Sequence, residues 1–171
     1  VHVERILRHI DVSAIRARKP KLRVVLDSVH GAGGPATAML LRELGVELVH
    51  LYAEPTGFFP HPPEPTRENL VGLCDAVREH KADVGCCMDG DADRCMFVDE
   101  KAEPVRCDFM TALFARYFLK DSPGAMVVYD LRSSHVLAEE IRAAGGVPRR
   151  ERVGHSFMKK TLGEGHGVIG G

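Results

Sequence analysis

The chain has 171 residues, enough for one large or two small α/β domains but short for most complete metabolic enzymes. Its 24 acidic and 23 basic side chains leave a formal charge of -1, so no global field draws it to nucleic acid or to an anionic membrane surface. With 44% hydrophobic and 27% charged residues, the composition excludes collagen, coiled coil and disorder, and no apolar run nears the roughly 20 residues of a membrane span.

The opening stretch VHVERILRHI lacks a signal-peptide pattern, so a cytoplasmic location is expected. From Val1 to about Lys19, Ile6, Ile10 and Ile15 among charges predict a helix that ends before Pro20. KLRVVLD (21–27) reads as a strand and SVHGAGG (28–34) as a turn. The following helix has Ala36, Met39, Leu40 and Leu44 on one face and ends at Gly45. VELVHLY (46–52) is the next strand, and a Pro- and Gly-rich loop containing His61 leads to a helix with Thr66 as N-cap. Leu70, Leu73, Cys74 and Val77 give that helix its apolar face.

DVGCCM (83–88) is a continuous apolar strand that runs straight into DGDADR, and CMFVD (95–99) with EPVR (103–106) predicts a hairpin across residues 100–102. The β-α rhythm then restarts: a helix faced by Met110, Leu113, Phe114 and Tyr117, the strand AMVVYD, a helix faced by Leu137, Ile141 and Ala144, and the short strand GVPRRE. The expectation is an α/β chain of two successive units with mostly parallel sheets flanked by helices, dividing near residue 104 into 1–104 and 105–171. Ligands of such sheets bind beyond the carboxyl ends of strands. Five cysteines, Cys74, Cys86, Cys87, Cys95 and Cys107, show no CxxC spacing and read as small buried thiols in a reducing compartment.

Asp89, Asp91 and Asp93 place three carboxylates within five residues at the end of an uncharged strand, a repulsive arrangement that a hard cation relieves. Residues 83–103 hold seven acids and two bases, and Arg94 supplies a planar fork suited to phosphate. A Mg²⁺ site is the favoured reading over a solvated acidic turn. An EF-hand fits Asp89, Asp91, Asp93 and Glu100 at loop positions 1, 3, 5 and 12, but Arg94 stands where that loop needs Gly and the flanks read as strands. A phosphatase with an aspartate nucleophile fits Asp89 and Asp91, and Asp93 then puts a charge where a hydroxyl or small apolar group belongs. SVHGAGG matches neither GxGxxG nor a P-loop and reads mainly as a structural turn, with an anion site at the helix start as its alternative.

VVLDSVHGAGG, HPPEPTRENL and MDGDADR in this order resemble the α-D-phosphohexomutases, specifically the phosphomannomutase/phosphoglucomutase group. Arg106-Cys107-Asp108, VVYDLRSS, RVGHSFMKK and GVIGG continue the family's order, so the resemblance covers essentially the whole chain. It implies the second domain and part of the third domain of a four-domain enzyme. That enzyme interconverts hexose 1-phosphate and hexose 6-phosphate, of mannose or glucose, through a phosphoserine and a 1,6-bisphosphate. The fragment alone is then expected to be inactive. Its partners are the hexose phosphate substrate and the remaining domains of its own polypeptide, with no nucleic acid and no membrane.

Carried over by the resemblance, Asp89, Asp91 and Asp93 hold Mg²⁺, and Arg94, Arg132 and His155 face the substrate as catalytic and substrate-binding residues. Arg132 stands where many relatives carry Lys, and His155 where the family has an active-site histidine, a side chain suited to exchanging protons near neutrality. Arg149, Arg150, Arg152, Lys159 and Lys160 form a basic run expected to rim a cleft opposite the acidic loop. The chain departs from the family at Cys107 and at Ala92, where Gly is common. Phosphoglucosamine mutase, a stand-alone metal or sugar-phosphate binding module, and the aspartate phosphatase are the alternatives.

Overall fold

A computed structural model describes residues 2–171, arranged as two units, the first ending at Val105 and the second spanning Arg106–Gly171. In the first unit, α1 (His2–Leu7) and α2 (Val12–Ala17) precede β1 (Arg23–Asp27), α3 (Gly34–Glu43) and β2 (Glu47–Leu51). A 3₁₀ turn (Arg67–Leu70), α4 (Val71–His80), β3 (Val84–Met88) and β4 (Cys95–Val98) complete it. The sheet order is β2-β1-β3-β4, with β1 parallel to β2 and β3 and with β4 antiparallel to β3. Central β1 is covered on both faces, which explains its unbroken run of buried Val24, Val25 and Leu26. The register sets Asp27 opposite both Leu51 and Cys87, so β1 and β3 deliver their following loops side by side.

The single helix expected over the first nineteen residues is two helices, and Val1 lies outside the described residues. Asp11 is the cause: its Oδ1 accepts the Ala14 N–H at 2.9 Å and starts α2 afresh. On α3 the expected face is also displaced. Gly34 and Ala38 face inward and Ala36 and Met39 are exposed, whereas Leu40 is half-buried and Leu44 buried as expected. A Cβ on Gly34 would stand 2.9 Å from Ser28 Oγ, so close approach at this glycine sets the rotation of the helix.

Leu70, at the end of the 3₁₀ turn, and Leu73, Cys74 and Val77 on α4 are buried as their spacing predicts. Burial of each full-size aliphatic chain contributes roughly 2 kcal/mol. Thr66 occupies the cap position of the 3₁₀ turn, but its hydroxyl donates to Glu68 Oε2 at 3.3 Å instead of capping the backbone. EPVR forms no full strand. Pro104 has no N–H to give a ladder, and the return is a bridge to Val98 flanked by the Asp99 N–H on the Glu103 carbonyl at 3.0 Å and the Val105 N–H on the Phe97 carbonyl at 2.8 Å.

The second unit runs α5 (Cys107–Leu119), β5 (Met126–Asp130), α6 (His135–Ala143), β6 (Val147–Glu151), α7 (His155–Glu164) and β7 (Ile169–Gly170). Its sheet is β6-β5-β7, all parallel. Leu137 and Ile141 of α6 are buried as expected. On α5 the buried residues are Asp108, Thr111, Ala115 and Leu119, while Leu113, Phe114 and Tyr117 are exposed. That helix is apolar nearly all round, so periodicity singles out no face. A hydrogen-bonded carboxylate at Asp108 anchors its first turn inward instead.

All five cysteines are thiols, but only Cys74 and Cys87 are buried; Cys86 is half-buried, and Cys95 and Cys107 are exposed. Cys95 opens the edge strand β4 and Cys107 the first turn of α5, positions that leave a small side chain uncovered. Burial, with Asp27 nearby, pushes the Cys87 thiol up to about 12. Among the described residues no helix is long and apolar enough to cross a membrane.

Candidate functional site

β3 hands the chain to the acidic loop at Met88. The Asp89 N–H donates to the Arg94 carbonyl at 3.2 Å, and the Ala92 N–H to the Asp89 carbonyl at 3.2 Å, so residues 89–94 curl on themselves. Ala92 sits at φ 64, in the left-handed region that glycine occupies without steric cost. This is the physical content of the departure from the family's glycine.

The curl gathers the three predicted carboxylates. One oxygen from each of Asp89, Asp91 and Asp93 lies within 4.8 Å of the others, the Asp89 side chain buried and the other two exposed. Burial alone would raise the Asp89 pKa, but the Arg94 backbone N–H, its side chain and its charge outweigh burial and hold the carboxyl below its ordinary value. Arg94 reaches Asp89 Oδ2 through Nε at 2.6 Å and stands 3.5 Å from Asp93 Oδ1. The donor set is all oxygen, anionic and partly open to solvent. Each carboxylate oxygen has two lone pairs, so these hydrogen bonds leave acceptor capacity on Asp89. Such a set fits a hard divalent cation, with remaining positions for water or phosphate oxygen.

The turn after β1 packs directly against this loop. The Ala32 N–H donates to the Gly90 carbonyl at 3.0 Å, and a Cβ on Gly31 would stand 2.6 Å from that same oxygen. The positive φ values of the turn fall on Val29 (44) and His30 (57), not on its glycines. Gly31 is therefore required by proximity to a neighbouring backbone, a demand that the SVHGAGG string does not reveal.

In the second unit, Arg132 lies in the loop after β5, 75% exposed at its side chain, and chelates buried Asp130 through Nε at 2.8 Å and Nη2 at 2.5 Å. Burial opposes ionisation of Asp130, and the bonds from the Arg132 side chain and backbone override it, lowering the pKa. A second pair stands beside it. Arg106 grips Asp108 with Nε at 3.1 Å and Nη2 at 2.8 Å, and Asp108 Oδ2 also accepts the Ser134 N–H at 3.2 Å. Arg106, Asp108, Asp130, Arg132, Ser133 and Gly171 line one cavity of about 370 Å³. His155 is exposed at the first turn of α7, behind Gly154 at φ 130. Of the basic run, Arg152 lies over the Phe157 ring at 3.4 Å and Arg150 donates to the Leu131 carbonyl, and all five side chains are exposed.

Asp27, Asp108 and Asp130 were not singled out by sequence. Each is a carboxylate that is less than a tenth exposed, at a strand end or in the first turn of a helix. An acid directly after an apolar run, as in VVLD and VVYD, was the available signal for two of them.

Two family descriptions match this chain: phosphoglucomutase/phosphomannomutase α/β/α domain II over residues 1–102, and domain III of the same family over 106–171. A phosphoglucomutase/phosphomannomutase of Thermococcus kodakarensis is 38% identical over 171 residues, 99% of this chain and 37% of that protein. A Methanopyrus kandleri protein named probable phosphoglucosamine mutase is also 38% identical, over 100% of this chain and 37% of its own length. A crystal structure of a Burkholderia thailandensis phosphoglucomutase/phosphomannomutase family protein superposes with TM-score 0.89 at 34% identity, covering 99% of this chain and 36% of that one. The Aspergillus fumigatus N-acetylphosphoglucosamine mutase, solved with GlcNAc-6P and magnesium, shares the fold at 17% identity and TM-score 0.63. The chain thus spans about 37% of the length of the curated relatives it matches. It belongs to the α-D-phosphohexomutase family.

Proposed function

We propose that this chain forms the second domain, 1–104, and part of the third domain, 105–171, of a Mg²⁺-dependent phosphohexomutase. The activity belongs to the longer protein, which interconverts hexose 1-phosphate and hexose 6-phosphate through a phosphoserine and a 1,6-bisphosphate. One observation carries the reading: oxygens of Asp89, Asp91 and Asp93 converge within 4.8 Å in a chain of this family.

When bound, the cation supplies positive charge to phosphoryl oxygens as phosphate transfers, an electrostatic and positioning role. The three aspartates hold that cation. Arg94, with Nε committed to Asp89, keeps the rest of its guanidinium for a phosphate oxygen and offsets the negative excess of the loop. Asp130 orients Arg132 by gripping Nε and Nη2, which leaves Nη1 for sugar phosphate. His155 exchanges protons with sugar hydroxyls. The basic run from Arg149 to Lys160 adds positive potential on the substrate side. The cytoplasm, where sugar phosphates are handled, is the proposed location.

The test is a graft in which residues 1–171 replace the matching segment of the Thermococcus kodakarensis relative. The graft interconverts glucose or mannose 1- and 6-phosphates with Mg²⁺, and Asp91→Asn lowers turnover by at least about a hundredfold. The isolated chain shows no turnover. A folded but inactive graft, or robust turnover by the isolated chain, overturns the reading. Relatives named phosphoglucosamine mutase favour glucosamine phosphate as a second substrate, and the longer protein that contains this chain, assayed with that sugar, decides it.

A further inference from the structure

Between β2 and the 3₁₀ turn, the Pro- and Gly-rich loop makes two contacts that bear on the acidic loop and the end of β1. The first is Phe59, whose ring lies on Gly90: a Cβ at Gly90 would stand 2.9 Å from Phe59 Cζ. The second is His61, whose Nε2 is 3.3 Å from Oδ2 of Asp27. Asp27 is only 1% exposed at the end of β1, and its Oδ1 is engaged by the Val29 N–H at 2.9 Å. His61 Nδ1 stands 2.9 Å from the Pro62 carbonyl oxygen, so both ring nitrogens face oxygens that accept.

Further contacts stiffen the same loop. The His61 ring stands edge to face with Tyr52 at 5.8 Å between centroids, and Tyr52 with His30 at 5.4 Å. His30 Nδ1 is bonded to the Glu54 carbonyl at 2.7 Å. From the other side, the Ala32 N–H holds the Gly90 carbonyl at 3.0 Å. Gly90, the residue between Asp89 and Asp91, is gripped between the β1 turn and Phe59. A loop of three like charges spreads unless something holds it, and ordering it at the moment of ligand binding weakens affinity.

We propose that Asp27 and His61 are positioning residues for the acidic loop: their contact holds Phe59 on Gly90 and so keeps the Asp89 and Asp91 carboxylates at the spacing a divalent cation requires. Neither residue touches the cation. The proposal rests on the metal assignment above and adds to it two residues outside the aspartate cluster. Supporting groups of this kind typically change metal affinity about 10- to 100-fold.

Calorimetric titration of Mg²⁺ into the 171-residue chain tests this, with Mn²⁺ binding followed by electron paramagnetic resonance as a second readout. Phe59→Ala and His61→Phe each weaken the Kd about tenfold or more while the far-ultraviolet circular dichroism of the metal-free protein is retained. His61→Gln, which keeps a donor for Asp27, recovers most of the loss. Phe59 is 45% exposed, so its truncation leaves the core closed and guards against a His61 variant that fails to fold. Unchanged Kd in Phe59→Ala, or His61→Gln no better than a folded His61→Phe, overturns the proposal while wild-type binding, abolished in Asp91→Asn, leaves the metal assignment standing. Absence of binding by the wild type overturns both.

Discussion

Asp89 is held at both carboxylate oxygens by Arg94: the Arg94 N–H reaches Oδ1 at 3.1 Å and the Arg94 Nε reaches Oδ2 at 2.6 Å. Asp89 is 1% exposed and Arg94 is on the surface, so one end of the pair is a buried charge and the other its solvent-facing counterweight. Removing the guanidinium leaves a buried carboxylate without its cationic partner, which is the costly direction of such a change. Arg94→Ala is therefore expected to lower the melting temperature in EDTA, and Mg²⁺ to recover part of the loss by replacing the missing charge. Melting curves with and without Mg²⁺ check both.

Close backbone approach at Gly31 predicts that Gly31→Ala destabilises the chain by about 1–3 kcal/mol, because the Gly90 carbonyl 2.6 Å from the added carbon is backbone and cannot swing away. Gly72, on α4 with nothing within 4 Å, is the contrasting case. Gly72→Ala is expected to stabilise by roughly 0.5–1 kcal/mol through helix propensity and a less flexible unfolded chain. Urea unfolding of the two variants measures the difference in sign.

Leu73 is fully buried and packs where Gly85 admits it, a Cβ there falling 2.9 Å from Leu73 Cδ1. Leu73→Ala is expected to cost about 2–5 kcal/mol, the range for a buried leucine whose cavity closes only in part. Equilibrium unfolding in denaturant gives the value.

Acid sensitivity is expected of the Arg106–Asp108 pair. Burial pushes the Asp108 pKa up, but the Arg106 side chain and the Ser134 N–H pull harder, so the folded value lies below the ordinary 3.8. A depressed carboxyl contributes stability that is fully present above its unfolded value and is lost as pH falls through the folded one. Stability of the wild type therefore declines below about pH 4 more steeply than that of Asp108→Asn, and the gap between them narrows. Denaturant melts from pH 7 down to pH 3 test it.

Periodicity made the strands and α4 legible, since Val24 to Leu26 and the Leu70, Leu73, Val77 row have no other way to be buried. It failed on α5, where Leu113 and Tyr117 compete with an inward Asp108 that pattern rules assign to solvent. On α3 the rotation follows from the approach of Gly34 to Ser28, a contact between distant backbone segments that no local window contains. At the candidate site, strict alternation of acids after an apolar strand exposed Asp89, Asp91 and Asp93 directly. The Asp27–His61 contact was hidden because its partners lie far apart in sequence and are joined only when β1 and the proline-rich loop meet.

The central claim is that the 89–93 loop binds a divalent cation in the native chain, and a thermal melt with and without millimolar Mg²⁺ tests it most directly. Binding to the native state alone raises stability by mass action, about 2.7 kcal/mol at a hundredfold excess over Kd. The account predicts a melting temperature raised by Mg²⁺ in the wild type and left unmoved in Asp91→Asn. No rise in the folded wild type, or an equal rise in both proteins, would contradict it.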